Sequence, residues 1–246
     1  MQRSFLFYML FLLLSTTACE KDAELPEARG QAQLMVYNGN ADFYDLNGWV
    51  LVDNEVFGTR SYNDNGAGLV GAFNFSRYSP VDTGLFRIGF TSTATRPEDA
   101  DKLSEGIFHF EDKQHYTLYL ADSLGYTVIL STKDEVQRNA SMAKVRLINL
   151  SPDAGKVSLT LDDAPVDAIR AVGYRQVTGF TDIQPDVKPG IRIVTMNERT
   201  GEEQVLTRKS FALEAGKCYT MILRGYTKAP DGNVNKTISL STIINF

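Results

Sequence analysis

The sequence predicts an all-β protein that consists of two tandem β-sandwich modules. The main observation is an internal repeat, because residues 108–120 (FHFEDKQHYTLYL) return without a gap as residues 211–223 (FALEAGKCYTMIL). Residues 32–38 (AQLMVYN) correspond in the same way to residues 143–149 (AKVRLIN). The chain therefore carries one module twice.

Strand-like alternation and turn chemistry are the other two observations. Apolar and polar residues alternate along residues 157–162 (VSLTLD), with the period of two that half-buried strands show. Turn sequences separate such runs: NDNG at 63–66, SPDAG at 151–155, KPG at 188–190 and DGN at 231–233. The short motifs FRI (86–88) and IRI (191–193) align one further strand of each repeat. Residues 96–106 form the best candidate for a helical turn, and a loop is the alternative.

Residues 1–18 predict a leader for export. Arg3 precedes an apolar run at residues 5–14, and small residues then lead to Cys19, which is the layout of a secretory signal peptide. A permanent anchor is the alternative, but this run is about half of the roughly 20 residues that span a bilayer. The cleavage region resembles the lipobox of Bacteroidetes-type lipoproteins. That resemblance implies that Cys19 is acylated and holds the protein at the outer membrane.

The remaining boundaries follow from composition. Residues 19–31 are predicted to form the acylated cysteine and a flexible tether, since Leu25 is the only large apolar residue after Cys19. Residues 32–134 form the first β-sandwich module and residues 143–246 the second. Residues 135–142 interrupt the strand pattern and are predicted to form the linker.

The second repeat resembles a bacterial family named domain of unknown function 4397. The resemblance rests on residues 145–154 (VRLINLSPDA), on the alternating run that follows, and on residues 215–220 (AGKCYT). The first repeat keeps the strands but has residues 39–42 (GNAD) in place of the Ser-Pro-Asp turn. The resemblance implies immunoglobulin-like or transthyretin-like sandwiches in exported and lipid-anchored proteins, and it supplies no catalytic residues.

Charge and cysteine content exclude some classes of function. Removal of the leader takes away Arg3 and leaves a formal net charge of −6, which argues against a nucleic-acid partner. Once Cys19 is acylated, Cys218 is the only remaining cysteine, so no intramolecular disulfide can form. We predict that Cys218 is a small buried hydrophobe, with a reactive thiol as the alternative.

The sequence offers no set of residues for catalysis or for a cofactor. His109 and His115 are the only histidines, and no nucleophile motif lies near either of them. They could face each other in a hairpin, but no third metal ligand is evident. The turn at 63–66 is favoured as a plain turn over a calcium loop. We therefore predict no metal, no cofactor and no enzymatic activity, with a hydrolytic enzyme as a remote alternative.

Aromatic residues are concentrated in the first repeat, where residues 43–78 contain eight of them. Alignment of Val50 with Leu159 places Trp49 opposite Ser158, on the outward side of its strand. Exposed aromatic side chains stack on sugars and anchor protein interfaces. The candidates for a ligand or partner surface are Tyr44, Trp49, Tyr62 and Tyr78. Packing in the core or between the modules is the alternative.

The sequence therefore predicts a non-catalytic envelope lipoprotein that acts as a binding or adhesion module at the outer membrane. Its partner would be a glycan or an envelope protein. The alternative function is that of a structural accessory subunit in an envelope complex. The lipid anchor would place the protein on the cell surface or on the periplasmic face of that membrane.

Overall fold

The computed structural model describes residues 30–44, 47–61, 74–75, 78–92, 101–122, 125–134, 137–197 and 199–246. The predicted leader, Cys19, Tyr62 and the turn at 63–66 lie outside the described residues. Strands dominate the described ranges, which confirms the all-β prediction. Two 3₁₀ turns, Ala41–Phe43 and Val234–Lys236, lie between them. No helix in these ranges has the length and apolarity needed to cross a bilayer.

The strands of the two repeats follow the same order along the chain. The first repeat contains β1 (Gln31–Asn38), β2 (Asn47–Val52), β3 (Glu55–Ser61), β4 (Asn74–Phe75), β5 (Ser79–Asp82), β6 (Gly84–Thr91), β7 (Lys102–Phe110), β8 (His115–Asp122) and β9 (Thr127–Lys133). The second contains β10 (Ala143–Asn149), β11 (Val157–Leu161), β12 (Ala164–Pro165), β13 (Thr181–Ile183), β14 (Ile191–Met196), β15 (Glu203–Lys209), β16 (Cys218–Arg224) and β17 (Ser239–Ile244). Because β7 begins at Lys102, the helical turn predicted at 96–106 is wrong from residue 102 onward.

Each repeat is a sandwich of one outer and one inner sheet, which confirms the predicted tandem sandwiches. The first outer sheet has the order β3-β2-β6-β7, and the first inner sheet has the order β5-β1-β8-β9. The second inner sheet has the order β13-β10-β16-β17, and the second outer sheet has the order β12-β11-β14-β15. Strand β4 of the first repeat pairs with the free edge of β17, so the first repeat extends a sheet of the second.

The strand registers confirm that the two repeats are copies. In the inner sheets, Gln33 pairs with His115 in a parallel ladder, and Lys144 pairs with Cys218 in the same way. In the outer sheets, the β2–β3 and β11–β12 hairpins turn through two residues with positive φ, Asp53-Asn54 and Asp162-Asp163. Asparagine and aspartate tolerate this conformation, which matches the strand twist in two-residue hairpins.

The alignment of the FRI motif with the IRI motif is wrong by two residues. The Asp53 carboxylate accepts a hydrogen bond from the Arg87 amide at 2.8 Å, and Asp162 accepts the equivalent bond from Gly190 at 2.7 Å. Arg87 therefore corresponds to Gly190 rather than to Arg192. A shift of two residues leaves each side chain on the same face of the strand, so alternation alone does not detect it.

The two sandwiches stack through their inner sheets and form four layers. One core lies inside each sandwich. A third core lies between the two inner sheets and consists of Met35, Tyr37, Tyr119, Ala121, Ile148, Leu150, Ile222 and Ile243. The inner sheets are therefore buried on both faces, which is why β1, β8 and β16 read as nearly continuous apolar runs instead of alternating ones.

Candidate functional site

A buried ion pair lies in the interface between the two inner sheets. Arg146 on β10 places its Nη2 atom 2.5 Å from Oδ1 of Asp134, and the two side chains are 4% and 0% exposed. The carboxylate also accepts hydrogen bonds from Thr117 at 2.5 Å, Tyr78 at 2.8 Å and Thr132 at 3.0 Å. Four donors thus use both oxygens, so the buried negative charge is well compensated.

Hydrogen bonds around this ion pair close a ring that crosses the interface twice. Arg146 Nε donates to Thr220 Oγ1 at 2.8 Å, and Thr220 donates to Asn245 Oδ1 at 2.6 Å. Asn245 Nδ2 donates to the Tyr78 hydroxyl at 3.1 Å, and that hydroxyl donates to Asp134. Since Tyr78 and Asp134 come from the first repeat and the other three from the second, the ring fixes how the repeats sit on each other.

Tyr78, one of the predicted ligand-surface residues, serves this interface. Its ring stacks on Phe246 with centroids 5.4 Å apart and forms a T-shaped contact with His115 at a centroid distance of 4.9 Å. Burial and the neighbouring Asp134 carboxylate raise the pKa of Tyr78 well above its usual range. The alternative of packing between the modules therefore holds for this residue.

Tyr44 lies at another place along the same interface. It is half-buried at the end of the first 3₁₀ turn, and Nζ of Lys236 lies 5.7 Å from its ring centroid. Close by, the Tyr226 hydroxyl donates to Oδ1 of Asp42 at 2.9 Å, and the Gly125 amide donates to Oδ2 at 3.1 Å. Tyr44 therefore belongs to a second contact between the repeats.

Trp49 lies on the outer face of the first outer sheet and is half-buried there. Its neighbour Val50 is 1% exposed and points into the first sandwich core, so Trp49 points the opposite way. Its strand belongs to the outer sheet, so Trp49 lies away from the core between the two inner sheets. The structure thus separates Trp49 from Tyr44 and Tyr78 instead of assembling one aromatic surface.

Exposed aliphatic side chains mark the same outer face. Leu85 is 70% exposed and Ile107 is 68% exposed. Ile107 pairs with Arg87, two residues beyond Leu85, so the two aliphatic side chains are diagonal neighbours on one face. We call this pair the aliphatic patch. Ion pairs of Glu105 with Arg87 and Lys102 border it, so an apolar centre has a charged rim.

The two histidines do not form a common site. His109 is exposed on β7 of the first outer sheet, whereas His115 lies on β8 of the first inner sheet. The interpretation that the two histidines face each other in a hairpin is therefore wrong. Among the described residues, no cluster of three His, Cys, Asp or Glu side chains has the geometry of a metal site.

Cys218 is buried, as the sequence predicted. Burial in the second inner sheet raises the pKa of its thiol, and the positive charges of Lys144 and Arg138 offset this only in part. A thiol with a raised pKa forms little thiolate at neutral pH. The side chain therefore fits the role of a small hydrophobe.

Sequence reasoning missed both the buried ion pair and the aliphatic patch. Arg146 interrupts the apolar run VRLIN, and a charge inside a strand that is otherwise apolar was the available signal for the ion pair. For the patch, the signal was the phase of alternation, which places Leu85 and Ile107 on the outward side of their strands. Nothing in the sequence alone pairs Arg146 with Asp134.

A family model described as Domain of unknown function (DUF4397) matches residues 32–160 and 143–239. The first region covers the first sandwich from Ala32 onward, and the second covers the second sandwich up to the beginning of β17. No curated protein matches the chain.

Proposed function

This chain belongs to the DUF4397 family, and from that premise we propose that it is a non-catalytic envelope lipoprotein that binds a protein partner through its first repeat. The aliphatic patch carries this proposal. Exposure of Leu85 and Ile107 to water is unfavourable, and burial of these side chains by another surface would lower the free energy.

The chemistry of the patch favours a protein over a glycan. Aliphatic side chains lack the flat faces that stack on sugar rings, whereas an apolar centre with a polar rim is typical of protein interfaces. The rim here is formed by Arg87, Glu105 and Lys102, which lie on the same two strands as the patch. A partner with an apolar centre and its own charged rim would fit this face.

The location is supported by the leader rather than by the fold. The apolar run at 5–14, the small residues before Cys19 and the polar residues after it are those of an exported lipoprotein. Acylation of Cys19 would hold the four-layer stack at the outer membrane through a short tether. In that position the first outer sheet is available to a protein of the same membrane or of the space beside it.

Site-specific photo-crosslinking in the producing cells tests the proposal. A photoreactive residue at Ile107 should give a discrete adduct with one protein, and Leu85→Asp should remove that adduct. Val187, which is 87% exposed in the second repeat, is the matched control position and should give no adduct. An Ile107 adduct that survives Leu85→Asp, or no Ile107 adduct, would contradict the proposal. Unchanged urea unfolding of the Leu85→Asp protein would show that its fold is intact.

Carbohydrate binding is the second candidate, and Trp49 favours it. This residue is the single tryptophan of the chain and lies half-buried on the outer face. Titration of the purified protein with a panel of polysaccharides, with and without calcium, would report binding through its fluorescence. A saturable shift that Trp49→Ala abolishes would support a glycan ligand over a protein partner.

A further inference from the structure

The second outer sheet carries a cleft in which two arginines lie opposite each other. The cleft lies where β14 begins and β15 ends, beside the β11–β12 hairpin, and has a volume of about 600 Å³. The cleft is open to solvent, so a ligand bound in it would remain partly exposed. Arg192, Arg208 and Lys209 line it, together with Ser210 and the carboxylates of Asp162 and Asp163.

The cations of this cleft are only partly compensated. Arg192 and Arg208 lie directly opposite each other on neighbouring antiparallel strands, an arrangement in which like charges destabilise a sheet. Arg192 contacts Asp163 at 2.7 Å and Thr160 at 3.2 Å. Within the described part of the chain, Arg208 forms neither an ion pair nor a side-chain hydrogen bond.

Lys209 follows Arg208 on β15 but lies on the opposite face of the sheet, because it pairs with the buried Ile191. Its ammonium group donates to the backbone oxygen of Leu240 at 3.1 Å and lies 5.9 Å from the centre of the Phe211 ring. Burial, and then the positive charge of Arg224, lower the pKa of Lys209. The ammonium group therefore belongs to the inward face of the sheet, and Arg192 and Arg208 are the cations of the cleft.

The first repeat shows that the fold does not require this arrangement. The positions equivalent to Arg192 and Arg208 are Gly89 and Glu105, which also lie opposite each other. There the single charge of Glu105 is paired with Lys102 and lies 3.6 Å from Arg87. At this sheet position the charge of the first repeat is paired, whereas in the second repeat Arg208 has no ion pair among the described residues.

We propose that this cleft binds a hydroxylated organic acid, such as a sugar acid. The carboxylate of the ligand would lie between Arg192 and Arg208, since guanidinium groups match carboxylates with paired hydrogen bonds. The hydroxyl groups of the ligand would donate to the exposed oxygens of Asp163 and Ser210. A neutral sugar would leave Arg208 without an ion pair, and a bare mineral anion would leave the carboxylate oxygens unused. The cleft lies on the second outer sheet and the aliphatic patch on the first, so this inference does not depend on the proposal of a protein partner.

Calorimetric titration of the full-length protein in detergent tests this inference. Glucuronate should bind with saturation, glucose should not bind, and inorganic sulfate should bind more weakly than glucuronate. Arg208→Glu, which gives this position the charge found in the first repeat, should weaken glucuronate binding about tenfold or more. Lys156→Glu makes the same change of charge at the far end of β11 and should leave binding unchanged.

The variant can be checked without ligand. Arg208→Glu replaces an opposed pair of like charges with an opposite pair, so its thermal unfolding midpoint should be equal to or above that of the unchanged protein. Glucuronate binding that Arg208→Glu leaves intact, sulfate binding as tight as glucuronate binding, or no saturation with glucuronate would overturn the inference.

Discussion

Asp134 and Asn245 are equivalent residues that follow the last strands of the two repeats. Each accepts a hydrogen bond from a threonine of the neighbouring strand, Thr117 at 2.5 Å and Thr220 at 2.6 Å. Only Asp134 is charged, and it is the one that Arg146 of the other repeat contacts. The repeats have thus kept one hydrogen bond in common while differing at the position that forms the ion pair.

The arginine has an apolar counterpart in the first repeat, Met35, which lies in the same interface. We expect Arg146→Met to lower the free energy of unfolding by about 3–5 kcal/mol, because Asp134 would remain buried without its cation. Urea unfolding followed by circular dichroism measures this change. A loss below about 1 kcal/mol would show that water or protonation compensates the carboxylate.

The double variant Arg146→Met with Asp134→Asn separates charge from packing. It gives this position the neutral residues that Met35 and Asn245 provide at the equivalent place. If the loss in the single variant comes from the unpaired charge, the second substitution should recover most of it. No recovery would mean that the arginine acts through its contacts with Thr220 and Tyr119 instead.

The sandwiches could be predicted from sequence because alternation and turns are local signals. Val157 and Leu159 point inward with Ser158 between them, as the period of two requires. The stacking of the inner sheets could not be derived with the same certainty. Tyr37 and Tyr119 look like core residues of one sandwich, yet they point away from it into the other repeat. Which surface covers an outward apolar residue depends on contacts between distant parts of the chain.

Candidate surface residues were harder to predict for the same reason. An aromatic side chain near a strand end can be exposed or can fill a contact between sheets, and composition does not distinguish the two. Tyr78 fills such a contact, whereas Trp49, from the same aromatic segment, lies on an outer face. The direction of each side chain could be predicted, but not what lies in front of it.

The Tyr78 hydroxyl can be removed without loss of its ring, because its counterpart in the second repeat is Phe180. We expect Tyr78→Phe to lower the free energy of unfolding by about 1–2 kcal/mol, since Asp134 and Asn245 each lose a hydrogen-bond partner. Urea unfolding gives the value. Tyr126→Phe, at a tyrosine that is 75% exposed, is the matched control and should change stability very little. Equal effects of the two substitutions would contradict the importance of the ring of hydrogen bonds.

Alkaline pH should destabilise the interface. Burial raises the pKa of Tyr78 and of Tyr119 above the value of about 10 that tyrosine has in an unfolded chain. A group with a raised pKa in the folded state contributes its full stability below pH about 10 and loses it as the pH rises further. The free energy of unfolding should therefore fall above pH about 10. Measured by urea unfolding at a series of pH values, the fall should be shallower in Tyr78→Phe and unchanged in Tyr126→Phe. If Tyr78→Phe leaves the fall of the unfolding free energy with pH unchanged, Tyr78 does not contribute to the destabilisation at alkaline pH.

Replacement of Cys19 tests the proposed membrane attachment separately from the binding surface. If Cys19 is acylated, Cys19→Ala should leave unprocessed precursor or release the protein from the membrane fraction, because the mature chain would lack its acyl anchor. Fractionation and immunoblotting of producing cells would show either result, and metabolic labelling with a fatty-acid analogue should mark the unchanged protein but not Cys19→Ala. Cys218→Ala is the matched control, since it removes the other cysteine, which is buried in the second inner sheet. Retention of Cys19→Ala in the membrane after removal of its leader would show that the protein is held there by contacts other than a lipid.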